Sequence, residues 1–325
     1  MKRKTLLLCI AVVVFLGVFA LHLFSGLDGV DFRYGFYDVM HEWLHEGVTY
    51  HTLAYNPPWT WLFLLPFYLM QYHGAQAALM MFTLAVIIRG WWEFLPGKTG
   101  FAAPISLAMC IFNLHIFDLV LRTQLDGFIL LGVILVFVGL RKDHAGWLGL
   151  GWVFAVVRVS TDFLTGFYSM YVAWRRGLFW RALLIPVGMF IASMFIFGYD
   201  WSYRLYVLLT EEKAPWEVKT WITTWWRAAE YLEISRIVPF MITVGIALIT
   251  LWTMRHEPDL RTAFAFMTVS TFLITPYALS YHYSTMMVVF VPYLVHWKLW
   301  MAVPLYLLTL VPVLRVIWGA EVAWL

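Results

Sequence analysis

Apolar runs fill this chain from end to end, and the polar breaks between them alternate in kind. Arg89 to Lys98, Arg141-Lys142, Arg175-Arg176, Arg255 to Arg261 and Lys298 form one set, dominated by basic residues. The other set holds the acid-rich stretch Ser25 to Asn56, then Arg122 to Asp126, Arg158 to Asp162, residues 198–236 and Pro276 to His282. Lys and Arg beside membrane segments stay cytoplasmic, so the alternation fixes an orientation, with basic breaks inside and mixed polar breaks outside. Polar groups kept at the ends of apolar helices are costly and usually functional. A soluble fold is excluded. The chain is 62% hydrophobic and 13% charged, against about 45–50% and about 25% in soluble domains. Its Lys and Arg are used up by topology, so the net charge of +3 does not point to a nucleic-acid partner.

These runs predict an all-α, polytopic membrane protein, a single domain over residues 1–325, with about eleven transmembrane helices. The expected spans are about 5–24, 75–89, 101–119, 127–140, 146–157, 163–174, 182–197, 237–254, 262–276, 284–297 and 300–318. Cys9 and Cys110 lie inside apolar runs without metal-ligand spacing and read as small buried hydrophobes.

Residues 26–56 form the first outer loop. In it Phe36, Val39, Met40, Trp43 and Leu44 recur at helical spacing, with Gly47 as a C-cap, predicting an amphipathic helix on the outer surface. The run 57–70, opened by Pro57-Pro58, is too short to span and is expected to be re-entrant or flat. Counting it as a span would put Arg141-Lys142, Arg175-Arg176 and Arg255 outside. Irregular backbone at membrane depth needs protein or a water-filled cavity around it, so a cavity is expected on that side. The long outer loop 198–236 carries Trp201, Trp216, Trp221, Trp225 and Trp226. It reads as an amphipathic cover on lipid more readily than as a sugar cradle.

Five outer pieces supply a carboxylate, two arginines, an amide and a histidine: Asp31, Tyr55-Asn56-Pro57-Pro58, Arg122 to Asp126, Arg158 with Asp162, and Thr275-Pro276 through His282. Arg grips phosphate bidentately and stays charged, and a nearby carboxylate can take a proton from a hydroxyl. That kit suits chemistry on a phosphate-bearing lipid.

In order and spacing these pieces resemble the C-superfamily of integral-membrane glycosyltransferases, and within it the polyprenol-phosphate-mannose-dependent mannosyltransferases. Asp31-Phe32-Arg33-Tyr34 through Gly47-Val48-Thr49-Tyr50 is similar to that family's outer-loop Asp and aromatic-rich helix ending in Gly-x-x-Tyr. Tyr55-Asn56-Pro57-Pro58 answers its Tyr-x-Pro-Pro segment. Thr123-Gln124-Leu125-Asp126 answers Gly-Gln-x-Asn with Thr for Gly, and Arg158-Val159 stands at its Lys-Pro pair. Thr275-Pro276 through Tyr281-His282 resembles its Ser-Pro-x-Ser-Trp-x-His-His element, without the Trp and one His.

The resemblance implies inverting transfer of a sugar, mannose in the family, from a polyprenyl-phosphate donor to a lipid or glycan acceptor outside a cell membrane. Asp31 would be the general base. Arg158, Arg122 and His282 would hold the donor phosphate, and Arg33, Tyr34, Tyr55, Asn56, Gln124, Asp126 and Tyr281 would bind substrate. No cofactor or metal is expected, and no Walker or Rossmann glycine pattern occurs.

Two other readings stand beside it. His41-Glu42-Trp43-Leu44-His45 spells H-E-x-x-H, the zinc-protease string that puts two His on one helix face. A lipid-linked sugar flippase would share the cavity and the arginines. Taken singly, Asp31 also fits a helix N-cap, Arg122 and Arg158 fit membrane-edge anchors, and Gln124 fits an interhelical bond.

Overall fold

Among the described residues the computed structural model is all-helical. These residues are 13–20, 29–47, 56–97, 102–211, 224–256, 259–276, 278–294, 303–304 and 306–307. Tyr55, Tyr277, residues 212–223 of the long loop, both ends of the expected first helix and most of the expected last one lie outside them.

A turn at Val30–Phe32 and a π turn at Arg33–Tyr37 lead into α1 (Asp38–Glu46). Next come α2 (Trp59–Tyr68), α3 (Tyr72–Phe94) and a bent pair, α4 (Ala102–Ile111) with α5 (Leu114–Arg122). The hairpin of α6 (Asp126–Arg141) and α7 (Ala145–Ala155) precedes α8 (Val159–Arg175) and α9 (Phe179–Phe197). Two shorter helices, α10 (Trp201–Glu211) and α11 (Trp225–Tyr231), lead to α12 (Ile237–Met254), α13 (Leu260–Ile274) and α14 (Tyr283–Leu294).

By length and composition α3, α9 and α12 can each cross a bilayer, and α4–α5 makes a fourth span if its 43° bend is crossed as one. The expected count of eleven is therefore not supported. The helices stop at the same charges that delimit the apolar runs, so each is only as long as its run. With 16, 11, 17, 15 and 12 residues, α6, α7, α8, α13 and α14 fall short of the roughly 20 that a hydrocarbon core of about 30 Å needs. On α9 and α12, Leu184, Phe195, Ile237 and Ile249 are exposed, an apolar surface suited to lipid tails.

The loop after residue 28 folds largely as expected. Gly47 ends α1 in the left-handed region, at φ 70°, where a side chain would be strained. Phe36, Val39 and Met40 are buried, but Leu44 is exposed. The π turn, which holds Phe36, widens the helix by a residue ahead of α1, while Val39, Met40, Trp43 and Leu44 keep regular α-helical spacing. α2, with Pro66 inside it, extends only about 15 Å at about 1.5 Å per residue. Both of its ends meet the same end of the bundle. Trp59 packs on Trp201 and Trp61 on Phe197, while Tyr68 packs on Tyr37 and Phe67 on Phe128.

Small residues and buried polar pairs join the longer helices. A Cβ on Gly132 would meet Ala155 N at 2.5 Å, one on Gly151 would meet Val136 N at 2.6 Å, and one on Gly139 would meet Leu148 N at 2.6 Å. The α6 and α7 backbones thus touch, the close approach that small residues allow between membrane helices. The Trp91 indole donates to Ser106 at 2.8 Å, the Trp152 indole to Ser169 at 2.9 Å and the Thr250 hydroxyl to Ser270 at 2.9 Å. These bonds link α3 to α4, α7 to α8 and α12 to α13.

Polar side chains then collect at two opposite ends of the bundle. α6 runs from Asp126 at one end to Arg141 at the other, about 24 Å at the helical rise. Arg158 and Arg175 bracket α8 in the same sense.

Candidate functional site

The site begins at the break between α5 and α6. Thr123 takes φ 54° and ψ 58°, and its N–H bonds to the Val120 carbonyl while Gln124 N–H reaches back to Leu119. This is a Schellman ending with threonine where glycine is usual. A β-branched residue there is strained, by about 1–3 kcal/mol. The turn stops α5 at Arg122, swings Gln124 inward and lets α6 start at Asp126.

Gly29 packs onto this turn and carries Asp31 with it. The Gln124 amide donates to Asp31 Oδ2, and Arg122 Nη1 lies 3.7 Å from the same oxygen. Both of Asp31's partners among the described residues bind Oδ2, which leaves Oδ1 to accept from a substrate. Asp118, one helical turn before Arg122, fixes that arginine by accepting from Nε at 2.8 Å. This brace was not read from the sequence, although the i,i+4 spacing on α5 signals it.

A second ion pair lies beside the first. Arg158, at the start of α8, donates to Asp126 at 2.9 Å, with the Asp126 side chain only 1% exposed. The Tyr281 ring lies between the two arginines, 5.9 Å from the Arg122 guanidinium and 5.7 Å from that of Arg158. Cation–π attraction at these distances ties the turn at Ser280–His282 to both ion pairs.

His282 meets Tyr281 edge-on with centroids 4.6 Å apart, and its Nδ1 accepts from Leu279 N–H at 3.1 Å. Burial, then the Arg158 charge, hold His282 well below the usual histidine range. The ring is neutral at neutral pH, with its proton on Nε2. Gln124 Oε1 and Asp126 Oδ1 are buried without a hydrogen-bond partner among the described residues. Buried acceptors of that kind call for a donor, such as a hydroxyl of a bound ligand.

The structure thus gathers Asp31, Arg122, Gln124, Asp126, Arg158, Tyr281 and His282 from four separate stretches of chain. Asn56 is buried at the start of α2, and no hydrogen bond ties it to this group among the described residues. Arg33 and Tyr34 are exposed, with the Arg33 guanidinium over the Tyr34 and Tyr72 rings. Trp226, from the tryptophan-rich loop, donates to the Ile274 carbonyl at 3.1 Å and secures the neighbouring end of α13. On α1 the His41 and His45 rings lie 4.3 Å apart, and the Tyr68 hydroxyl is 2.9 Å from His41 Nδ1. No group of three or more His, Cys, Asp or Glu able to hold a metal occurs among the described residues.

The Gly29–Thr123 contact yields a test of how Asp31 is positioned. A Cβ on Gly29 would lie 2.6 Å from Thr123 Oγ1 and 2.7 Å from Gln76 Nε2. Gly29→Ala is expected to destabilise the protein by about 1–3 kcal/mol, as overpacking does, and to move Asp31 away from Gln124. Adding Thr123→Gly removes the clash with Thr123 and relieves the strained φ, leaving only the Gln76 contact, so the double variant should regain part of the lost Tm. Equal melting of wild type and Gly29→Ala would show that this contact does not position Asp31.

Comparison of the chain with known protein families, with curated proteins and with solved structures finds no match.

Proposed function

We propose that this protein is a polyprenyl-phosphate-sugar-dependent glycosyltransferase related to the C-superfamily it resembles, a hexosyltransferase using mannose by that resemblance. The observation that carries the reading is the continuous arrangement Asp31–Arg122–Tyr281–Arg158, in which a carboxylate open at one oxygen stands beside two held guanidinium groups. In this reading the Asp31 end faces outward, and α6, α8 and α13 cross the membrane as short spans that thin the bilayer around them.

The acceptor hydroxyl attacks the anomeric carbon of the donor while its proton passes to Asp31 Oδ1. The bond from that carbon to the phosphate oxygen breaks with inversion. A phosphodiester with one negative charge becomes a phosphomonoester with two, so the leaving group needs charge stabilisation more than a proton. Arg158 and Arg122 supply it, the kind of preorganised electrostatic help that lowers barriers most. Neutral His282 donates from Nε2 to a phosphate oxygen. The buried acceptors Gln124 Oε1 and Asp126 Oδ1 receive sugar hydroxyls.

Purified protein incubated with labelled polyprenyl-phosphate mannose and a membrane lipid extract is expected to give a labelled product, and to do so equally with chelator present. Donor consumed only without chelator would overturn the metal-free mechanism. Peptide cleavage with zinc bound at His41 and His45, and no sugar transfer, would favour the protease reading instead.

A further inference from the structure

The opposite end of the bundle carries a polar cluster that sugar transfer does not use. Arg141 closes α6, Arg176 caps α8, and Asp259 and Arg261 open α13. With Phe137 and Leu260 they line a cleft of about 230 Å³.

Its arginines are held in place before anything binds. The buried Glu93 carboxylate receives Arg141 Nη1 at 2.6 Å, and the Glu93 carbonyl accepts from Arg261 Nε at 3.1 Å. Both guanidinium groups flank the Phe137 ring, 5.4 Å and 5.9 Å from its centre. From the other side, Arg176 donates to the Leu140 carbonyl and to Asp143. The only side-chain hydrogen bond of Arg261 among the described residues goes to a neutral carbonyl, which leaves its remaining guanidinium N–H groups for a ligand, beside the Asp259 carboxylate that its backbone N–H reaches at 3.2 Å. The lining itself holds three guanidinium groups and one carboxylate, Asp259, while Glu93 and Asp143 pair with Arg141 and Arg176 from behind it.

The lining is also graded. Phe137 lies one helical turn deeper in the bundle than Arg141, so an apolar floor underlies a cationic rim. An anionic phospholipid matches both layers, with its phosphate at the rim and its first methylenes on the floor. Basic pockets between helix ends are where such headgroups bind, and Arg suits phosphate through its planar fork. A free phosphate ion or an acidic peptide has no use for the floor. We infer that this cleft is a binding site for one anionic phospholipid of the adjoining leaflet.

The test is retention of lipid by purified protein in detergent, counted by native mass spectrometry, with phosphatidylglycerol and phosphatidylcholine of matched chains. Wild type is expected to retain one phosphatidylglycerol with about tenfold preference, the effect of roughly one charge-assisted contact. Arg176→Gln with Arg261→Gln should abolish that preference, and the corresponding Lys pair should recover part of it. Arg141 is left intact because it is one of the two arginines, with Arg89, that pair with buried Glu93. If the double variant is not monodisperse, Arg261→Gln alone should still lower the preference. Equal retention of both lipids by wild type, or an unchanged preference in the variants, would overturn the site. Displacement of the lipid by millimolar inorganic phosphate would overturn its assignment to a phospholipid. Sugar transfer by the same samples is a separate reading, since the variants leave the Asp31 end untouched.

Discussion

Asp31→Asn is expected to give a folded protein that still binds donor but transfers sugar about 10²–10⁴-fold more slowly, the usual contribution of a positioned base. That is roughly 3–5 kcal/mol of barrier. The substitution isolates the chemistry, because Asn is nearly isosteric, accepts from Gln124 as Asp does, and caps a helix about as well. The Asp31–Arg122 contact, 3.7 Å long with Asp31 one-third exposed, should add little to stability. Asp38→Asn serves as the control and should keep most activity. Single-turnover rates with bound donor decide the matter, and a near wild-type rate in Asp31→Asn would remove the base from the mechanism.

Arg158→Ala carries the second large effect, and it acts in two ways. It removes the phosphate contact, and it leaves Asp126 buried and unpaired, a change that costs about 3–5 kcal/mol when a buried pair loses one partner. The two contributions separate on a second variant. Arg158→Ala with Asp126→Asn has no stranded charge, so it should melt closer to wild type yet remain unable to use donor. Arg158→Lys should keep part of the activity as a point charge without the bidentate fork. Thermal melting alongside donor titration checks both. Normal donor use in the double variant would show that Arg158 is only a membrane-edge anchor.

Much of this arrangement was legible in the charges. The alternation of basic and mixed breaks puts Asp31, Gln124, Arg158 and His282 on one side, and the structure brings these four stretches to one end of the bundle. The re-entrant or flat expectation for 57–70 rested on length and on the charge parity of the later breaks, and α2 is a ten-residue helix. Counting spans failed for a related reason: an apolar run bounded by charges shows where a helix ends, not whether it is long enough to cross. Nothing local announced that Gly29 would pack against Thr123, or that threonine would hold a backbone conformation suited to glycine. Both depend on contacts between residues far apart in the chain. Asn56 drew attention through its Pro-Pro neighbours, whereas Asp118, unremarkable within its run, is the residue that braces Arg122.

The glycine contacts between α6 and α7 bear on what kind of machine this end of the molecule can be. Asp126 begins one of these helices and Arg158 follows the other, so the ion pair spans two rods whose backbones touch along their length. A carrier that exposes its cargo first to one side and then to the other rocks one bundle against the next around the binding site. Here the two helices that carry the ion pair are joined closely at Gly132, Gly139 and Gly151, so they would move as one body. Any such rocking would carry Asp126 and Arg158 together, with their ion pair intact.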